Sequence, residues 1–318
     1  MSFAIAFLAM LLERMVGYPR QLLDAIGHPV MWMGKLITIL EERGNHPELP
    51  DQRRRQNGYA MIGLALAVTL LISLIIIAIT RSAPFGWIFE IFFASTLIAQ
   101  KELGRAVKAV AEGLRSSLEE GREAVSHIVG RDPDDLDEDG VARGAVESLA
   151  ENASDGVVAP IFYLMLFGLP GIALYKMINT ADSMVGHKNE RFKDFGYASA
   201  KLDDWANFVP ARITAFFFTV AAKFKEGFDA KAAWRSAQRD AKWHKSPNAG
   251  WPEAAMGGAL GVKLGGPRDY DGETVELAYM GEGKEQVDAD DIDRAVALYW
   301  FALTLILGTL LVLAAFFN

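Results

Sequence analysis

An uninterrupted apolar run, from Gln56 to Thr80, constrains this chain more than any other feature of its sequence. The segment YAMIGLALAVTLLISLIIIAIT within it carries no charge, and a bilayer core needs about 20 apolar residues in a helix. A second run, from Ala295 to Asn318, has no charge after Arg294. Because apolar runs of this length are rare in soluble cores, both predict membrane-spanning helices.

The composition agrees with a membrane protein whose charges are confined to loops. The 318 residues are 51% hydrophobic and 23% charged, and the mean hydropathy is +0.15. Because the chain has no cysteine, disulfides, iron–sulfur clusters, thiolate zinc sites and cysteine nucleophiles are excluded. The net charge of −8 argues against a nucleic-acid-binding protein.

Three shorter apolar blocks, at 85–99, 156–175 and 208–222, are further candidates for membrane segments. The first follows a predicted turn at residues 82–84, and the third contains Arg212 and predicts a short tilted span or an interfacial helix. In the second block the motif GLPG at 168–171 interrupts the helix, so that a re-entrant hairpin competes with a broken spanning helix. The N-terminal FAIAFLAMLLERMVG lacks a basic leader and a cleavage site, which predicts a retained membrane-associated helix.

We therefore predict an all-α, multi-pass integral membrane protein with about four to six membrane segments, and a re-entrant segment is one reading of the GLPG block. Lys and Arg are concentrated in the loops, which predicts that the polar loops are helical and cytoplasmic. Since no internal repeat or low-complexity linker is present, residues 1–318 are predicted to form a single integral domain. The chemistry is expected in its polar segments 17–57, 101–155, 179–207 and 223–294.

The first polar motif follows the acidic run at 131–140, where Asp137 or Asp139 can cap a helix. Beyond it, Arg143, Glu147, Glu151 and Asp155 recur every four residues and form one helical stripe. Carboxylates on one stripe repel each other unless a cation neutralises them. A hard divalent cation such as Mg²⁺ is the natural partner, and the alternative is pairing of Arg143 with Glu147 on a solvated face.

A second motif contains an amide, an acid and several bases beside an apolar block. Asn179 and Asp182 share a helix face at i, i+3 spacing and are a second candidate pair of metal ligands. His187, Lys188 and Arg191 add donors for anionic oxygens, although such a run is also typical of a solvated turn.

Two further motifs carry polar groups close to apolar segments. Asp204 and Asn207 are again spaced i, i+3, and Arg212, inside an apolar stretch, requires a phosphate or a carboxylate as partner. The segment from His244 through Asn248 to Glu253 precedes a glycine-rich stretch that ends at 266. Those glycines permit close approach of a ligand or of another helix, and no Walker A loop occurs.

His28, in the motif GHPV near the N-terminus, can be a base, a hydrogen-bond donor or a buried polar residue. The polar motifs together indicate a membrane enzyme with a metal- and phosphate-handling site that faces the cytoplasm.

In order along the chain, these segments resemble the CobD/CbiB family of cobalamin biosynthesis. The matching stretches are GYPR, HPV, RDPDDLDEDGVARGAVESLAENASDGVVAPIFY, GLPG, YKMINTADSMVGHKNERF, SAKLDDWANFVPARITA and HKSPNAGWPEAAMGGALGV. They cover most of the chain from Gly17 to Pro267. The resemblance implies a membrane enzyme, in the inner membrane of the cell, of the late cobamide pathway. Such enzymes join a carboxyl group of adenosylcobyric acid, a corrinoid, to (R)-1-amino-2-propanol or its O-phosphate.

Amide formation from a free carboxylate requires activation, for which ATP as cosubstrate and Mg²⁺ are expected. We then expect three groups of site residues. The predicted Mg²⁺ ligands are Glu147, Glu151, Asp155 and Asp182. The predicted catalytic residues are His187, His28, Lys188 and Arg191, with a histidine as acid or base. The predicted substrate- and phosphate-binding residues are Arg143, Asn179, Arg212, His244, Asn248 and Glu253.

Two other classes of function fit the same residues. A membrane prenyl- or phosphotransferase would use the acids to bind a diphosphate. A transporter or a non-catalytic membrane scaffold is the other alternative, but the featureless spans count against transport. Expected partners are the two substrates, membrane lipid and other membrane enzymes of the pathway, and no nucleic acid.

Overall fold

The computed structural model describes residues 2–130, 133–270, 273–275 and 278–317. Arg131 and Asp132, the first residues of the acidic run, lie outside the described residues. The predicted all-α class is confirmed. The helices are α1 (Ser2–Val16), α2 (Arg20–Ile26), α3 (Pro29–Gly44), α4 (Asp51–Ser82), α5 (Trp87–Ser95), α6 (Gln100–Ser116), α7 (Leu118–Ser126), α8 (Glu138–Ala153), α9 (Ala159–Val185), α10 (Tyr197–Ala206), α11 (Phe208–Phe224), α12 (Ala230–Asp240), α13 (Gly250–Leu260) and α14 (Ala289–Phe317).

Short irregular elements connect some of these helices. A π-helical turn, Ser154–Val158, joins α8 to α9, and a 3₁₀ turn, Ala241–Trp243, follows α12. Four three-residue strands form two antiparallel pairs. They are β1 (Lys263–Gly265) with β4 (Tyr279–Gly281), and β2 (Arg268–Tyr270) with β3 (Glu273–Val275).

Three helical runs among the described residues are long and apolar enough to cross a membrane. They are Asp51–Ser82, Glu138–Val185 and Ala289–Phe317. The first and third contain the two apolar runs that the sequence singled out, so the prediction of membrane helices there is confirmed. By contrast, α1, α5 and α11 have 15, 9 and 17 residues, fewer than the roughly 20 that span a bilayer core. The number of four to six membrane segments, which counts these shorter helices, stays a prediction.

The surface of α4 is that of a lipid-facing helix. Only 22% of its apolar window is buried, and Leu71, Ile72, Ile75 and Ile79 are exposed. A contiguous apolar surface of this kind is unfavourable in water, whereas it costs nothing in hydrocarbon. The structure therefore agrees with a membrane location for this helix.

The run that contains α9 reverses direction at Gly168. This residue has φ of 66° and ψ of −155°, a conformation open essentially only to glycine. The rings of Tyr163 and Tyr175 stack with centroids 5.1 Å apart, although residues 12 apart in a straight helix are separated by about 18 Å. Ala159 and Tyr175 also belong to one core cluster, and Ile178 packs against it. The two halves of α9 are therefore antiparallel, which supports the re-entrant hairpin over the broken spanning helix.

The chain forms two compact units, and each is assembled from separated segments of the sequence. The first unit contains the residues up to Ala99, Ala159–Asn207 and the residues from Leu310 onward. One core cluster joins α3, α4, α9 and α10 through Ile37, Met61, Met177 and Ala198. The lipid-facing α4 and the hairpin of α9 belong to this unit.

The second unit contains Gln100–Val158 and Phe208–Thr309. Helices α8 and α13 are its most buried elements, since every residue of α8 from Val141 to Ala150 is buried. In α13 all residues except Trp251 are buried. The first polar motif, with the stripe from Arg143 to Asp155, and the fourth, from His244 to Glu253, both lie in this unit.

Candidate functional site

A polar cavity in the second unit brings together the first and fourth motifs of the sequence. It has a volume of about 240 Å³, and Glu147 and Glu151 of α8 line it together with His244 and Glu253. All four were predicted as site residues, but the sequence assigned the first two to a metal and the last two to substrate. Their common cavity makes this the best-formed candidate site among the described residues.

Helix α8 presents its two glutamates to the cavity because of how it begins and how it is held. Asp137 caps the helix, as predicted, and its Oδ1 accepts a hydrogen bond from the Gly140 amide at 2.8 Å. The spacing of four residues then places Glu147 and Glu151 on one stripe. Glu147 Oε1 also accepts a hydrogen bond from the Gly265 amide at 2.6 Å, which fixes its carboxylate at the wall of the cavity.

Arg143, one turn before Glu147, holds the surrounding backbone. Its guanidinium donates to Asp139 at 2.6 Å, to the carbonyl of Glu285 at 2.6 Å and to the carbonyl of Lys263 at 3.0 Å. The sequence offered Glu147 as its partner, whereas the structure pairs it with Asp139. With these partners, Arg143 anchors the strand segment against α8, and its predicted contact with substrate stays a prediction.

His244 and Glu253 form a close pair at the cavity. The amide of Ser246 donates to His244 Nδ1 at 3.0 Å. The other ring nitrogen, Nε2, lies 3.6 Å from Oε1 of Glu253, whose side chain is 3% exposed. The imidazole therefore faces a buried carboxylate at a distance longer than a hydrogen bond.

The lining of the cavity suits a cation. Glu147, Glu151 and Glu253 contribute three carboxylates, and the described lining includes neither lysine nor arginine. Like charges around a small polar space raise its affinity for positive charge. Both an ammonium group and a hard divalent cation meet that requirement.

The fit to Mg²⁺ depends on how the ion is held. The described residues contain no group of three or more His, Asp or Glu side chains placed to hold a metal. Mg²⁺, however, usually binds through one or two carboxylates together with substrate phosphates and water, and Glu147 and Glu151 fit that mode. Of the other predicted ligands, Asp155 lies in the π-helical turn of the second unit, and Asp182 belongs to the first unit.

Arg212 and Asn248 meet in the same unit. Arg212 Nη1 donates to the carbonyl of Phe208 at 2.6 Å and to Oδ1 of Asn248 at 3.4 Å. Its guanidinium also lies over the rings of Phe208 and Trp251, at 3.6 and 4.7 Å from their centroids. Burial lowers the pKa of Arg212. The sequence predicted a phosphate or a carboxylate as the partner of Arg212. The protein groups that these contacts provide are neutral oxygens and aromatic rings.

The glycine-rich stretch after Asn248 is used for helix packing. A Cβ atom at Gly258 would lie 2.5 Å from the carbonyl oxygen of Ala232, and one at Gly257 would lie 3.0 Å from that of Val262. The close approach that these glycines permit is therefore to protein backbone. Of the two readings that the sequence left open, the structure supports helix packing at these positions.

In the first unit, Asp203 is the buried carboxylate that the sequence analysis missed. Its two oxygens accept hydrogen bonds from the side-chain amides of Asn207 at 2.9 Å and Asn179 at 3.4 Å. Burial, followed by the charge of Asp182, raises the pKa of Asp203 to about 7. The residue singled out instead, Asp204, pairs with Lys201 at 3.2 Å.

The spacing of the small residues in α10 is the sequence signal that distinguishes Asp203 from Asp204. Ala198, Ser199, Asp203 and Ala206 are its buried residues, and their i, i+4 spacing with Asn207 places Asp203 on the inner face. The i, i+3 spacing to Asn207 indicates Asp204, whereas the i, i+4 spacing indicates Asp203, the buried one of the two.

The predicted bases of the first unit lie in different surroundings. Arg191 pairs with the buried carboxylate of Glu41 at 3.0 Å, and its carbonyl accepts a hydrogen bond from Arg54. His187 and Lys188 are exposed. Arg191 thus has a structural partner, whereas the other two side chains are accessible to a ligand.

His28 caps the N-terminus of α3. Its Nδ1 accepts a hydrogen bond from the Val30 amide at 3.2 Å, and its ring meets that of Tyr18 edge to face at 4.5 Å. Burial, and then the charge of Lys176, lowers the pKa of His28. The imidazole is therefore neutral at pH 7, and the buried polar role that the sequence left open is the one its contacts support.

Comparison with known proteins gives one consistent result over nearly the whole chain. A family model described as CobD/Cbib protein matches residues 6–299. A cobalamin biosynthesis protein CobD of Brucella anthropi is 48% identical over 315 residues, which cover 98% of this chain and 96% of that protein. Proteins of the same name from Sinorhizobium fredii and Rhodobacter capsulatus are 47% and 43% identical and cover 95% and 98% of this chain, and 94% and 98% of their own. No solved structure gives a significant match.

Proposed function

This chain belongs to the CobD/CbiB family of cobalamin biosynthesis proteins, and from that premise we propose that it is a ligase that forms an amide bond. The substrates are adenosylcobyric acid and (R)-1-amino-2-propanol or its O-phosphate, and the product is adenosylcobinamide or its phosphate. The family resemblance supports the reaction, and the acidic cavity of the second unit supports its location.

The observation that carries this proposal is the set of carboxylates around one small cavity. The amine substrate is an ammonium ion at neutral pH, and Glu253 offers it a buried carboxylate. A volume of about 240 Å³ suits a three-carbon amino alcohol, while the much larger corrinoid remains outside. The cavity thus acts as the amine site, into which only the reacting carboxyl group of the corrinoid reaches.

The reaction needs an activated acyl group, because a carboxylate and an ammonium ion do not condense in water. In the proposed sequence, the carboxylate attacks ATP and forms an acyl-phosphate with release of ADP, or an acyl-adenylate with release of pyrophosphate. The ammonium group first gives one proton to a base, and the free amine nitrogen then attacks the acyl carbon. The phosphate or AMP leaves with the bonding electrons and takes up the second proton of the nitrogen, which leaves the amide. Glu253 would accept the first proton, and His244, whose Nε2 lies 3.6 Å from its Oε1, faces the same carboxylate.

When bound, Mg²⁺ supplies positive charge that offsets the phosphate oxygens of the nucleotide. Glu147 and Glu151 would hold it. Lys188 and His187, which are exposed in the loop after α9, stay predicted as catalytic residues, the histidine as acid or base.

The test is the mass of the product. Purified protein in lipid nanodiscs is incubated with adenosylcobyric acid, aminopropanol or its phosphate, and ATP with Mg²⁺. Product that carries one added aminopropanol unit, formed only with ATP, is the expected result. A product made from a lipid diphosphate, with no corrinoid product, would instead indicate a prenyl- or phosphotransferase.

Variants locate the site. Glu253→Gln and Glu151→Gln should each reduce the rate by at least about 100-fold, the usual loss when an acid–base or electrostatic group is removed. Asp182→Asn tests the predicted ligand in the first unit. Glu119→Gln, an exposed glutamate of α7, is the matched control and should be as active as the unchanged protein. Near-normal turnover of both cavity variants would refute the assignment.

We also propose that the protein lies in the inner membrane with its active loops on the cytoplasmic side, beside other membrane enzymes of the pathway. The lysines and arginines of these loops support that orientation. Because the chain has no cysteine, single cysteines at Lys193 and Glu119 report sidedness directly. Labelling of both from the cytoplasmic side alone is expected, and labelling from opposite sides would contradict the proposal.

A further inference from the structure

A second cavity, in the first unit, is enclosed by α3, α4, α5 and α9. It has a volume of about 170 Å³, and its lining is almost entirely apolar. Trp32, Ile72, Phe93, Leu169 and Met177 contribute to its walls, one or more from each helix. It shares no residue with the acidic cavity of the second unit.

The hairpin of α9 helps to form this cavity. The reversal at Gly168 directs Leu169, Ala173 and Met177, spaced four residues apart, along one wall. On the opposite side, Thr69 and Ser73 of α4 follow the same spacing. The shape of this cavity is therefore determined by the course of the backbone and not by the rotamer of one side chain.

The few polar groups in the lining are already satisfied within their own helices. Thr69 Oγ1 donates to the carbonyl of Ala65 at 2.8 Å, and Ser73 Oγ donates to that of Leu70 at 2.8 Å. Thr96 Oγ1 likewise donates to its own helix at 2.8 Å. These residues consequently present their methyl and methylene groups to the cavity.

Water is a poor occupant of such a space, because a buried water needs two to four polar partners. An empty cleft is also unfavourable, because its lining loses dispersion contacts on one side. An apolar occupant of the cavity removes both costs. The surroundings of the cavity indicate which apolar molecule is available.

The mouth of the cavity opens at the lipid-facing surface of the protein. Ile72 is 52% exposed and Trp32 is 46% exposed, and both also line the cavity. Val68, Ile72 and Ile76 lie in the central turns of α4, where the surrounding medium is hydrocarbon. The Trp32 indole is held in place, since its Nε1 donates to the carbonyl of Ile26 at 2.8 Å.

We propose that this cavity is a binding site for one acyl chain of a membrane phospholipid, which is retained when the surrounding bilayer is removed. The chain end inserts between α4 and the second half of α9, and Trp32 forms one side of the entrance. Binding is driven by burial of methylene groups against a preformed apolar surface. The lipid then supports the hairpin at Leu169, Ala173 and Met177.

The experiment measures retained lipid directly. Protein is reconstituted in vesicles of phosphatidylethanolamine and phosphatidylglycerol, extracted into detergent and examined by native mass spectrometry. Ser73→Phe fills the cavity, and Leu71→Phe places the same ring on the exposed face of α4. One retained phospholipid is expected for the unchanged protein and for Leu71→Phe. For Ser73→Phe, retention should fall at least about tenfold, because each excluded methylene weakens binding severalfold.

A second readout locates the chain. Phospholipids with brominated acyl chains quench nearby indoles, and the Trp32 signal is obtained by difference from Trp32→Phe. Quenching of Trp32 should fall in Ser73→Phe and stay unchanged in Leu71→Phe. Equal quenching in the unchanged protein, Ser73→Phe and Leu71→Phe would show annular lipid only and would overturn the proposal. A dimer of the unchanged protein that is absent in Ser73→Phe would also overturn it.

A further control excludes unfolding as the cause of lost lipid. Ala173→Leu fills the cavity from α9, and circular dichroism and thermal unfolding verify that both filled variants are folded. If folded Ala173→Leu and Ser73→Phe retain lipid as Leu71→Phe does, the proposal is wrong. Neither readout depends on catalysis.

Discussion

The ring of Tyr163 stacks on the ring of Tyr175, with centroids 5.1 Å apart and planes inclined by 11°. Both phenols also reach the end of α10, where Tyr163 donates to the carbonyl of Ala206 at 3.0 Å and Tyr175 to Oδ1 of Asn207 at 2.8 Å. The stacked pair therefore fastens the two antiparallel halves of α9 to each other and to α10. The polar segment that follows α9 consequently starts near the level at which α9 begins.

Replacement of Gly168 by alanine should destabilise this hairpin. The positive φ of 66° costs a side-chain-bearing residue about 1–3 kcal/mol, so the unfolding temperature in detergent should fall. Gly63→Ala is the control, because a Cβ there meets nothing within 4 Å and alanine favours helix. Equal unfolding temperatures for the two variants would contradict the reversal at Gly168.

Arg143→Lys should lower stability even though it keeps the positive charge. A lysine cannot reproduce the forked contacts with Asp139 and with the carbonyls of Lys263 and Glu285, and each buried acceptor left unsatisfied costs roughly 1–3 kcal/mol. Arg105→Lys, in an exposed pair, should change the free energy of unfolding by less than about 1 kcal/mol. If Arg143→Lys instead raised the KM for a phosphate-bearing substrate at unchanged unfolding temperature, a binding role would be indicated.

The adjacent bases Arg191 and Lys188 should respond differently to neutralisation. Arg191→Gln leaves the carboxylate of Glu41, which is 5% exposed, without its cation, so the unfolding temperature should fall. Lys188→Gln should leave the unfolding temperature unchanged and reduce only the binding of phosphate-bearing substrates. Thermal unfolding and KM measured on the same preparations separate the two roles. Loss of stability in Lys188→Gln would contradict this division.

Asp203 should make the stability of the protein depend on pH. Its pKa of about 7 in the folded chain exceeds the value of about 3.9 in an unfolded chain, so the folded state binds the proton more tightly. This contribution is fully present below about pH 4 and is lost as the pH rises through 7.

Asp203→Asn removes that titration. In metal-free buffer, the unfolding temperature of Asp203→Asn relative to the unchanged protein should therefore increase between pH 5 and pH 8. Asp204→Asn, at the neighbouring position paired with Lys201, is the control and should show no such trend. A constant difference for Asp203→Asn over this range would refute the raised pKa.

Some features of the site followed from local sequence, and others did not. The cap by Asp137 and the stripe of Glu147 and Glu151 were predictable, because capping and helical periodicity depend only on neighbours along the chain. The pairing of Arg143 with backbone more than 100 residues away was not, since no local pattern indicates which distant carbonyls approach a side chain. The burial of Asp203 was not predictable either, because it depends on which face of α10 packs against the rest of the protein.

The sequence by itself determined the membrane helices, the break at Gly168 and the family, because each is encoded in contiguous residues whose hydropathy or identity can be read directly. Only the tertiary structure decided that the break reverses the chain and that the glycines near 257 pack against backbone. It also showed that Glu147, Glu151, His244 and Glu253 line one cavity. These relationships join residues that lie far apart in the sequence. They depend on which faces of the helices pack against each other, and each helix's contact face is determined by the helices around it.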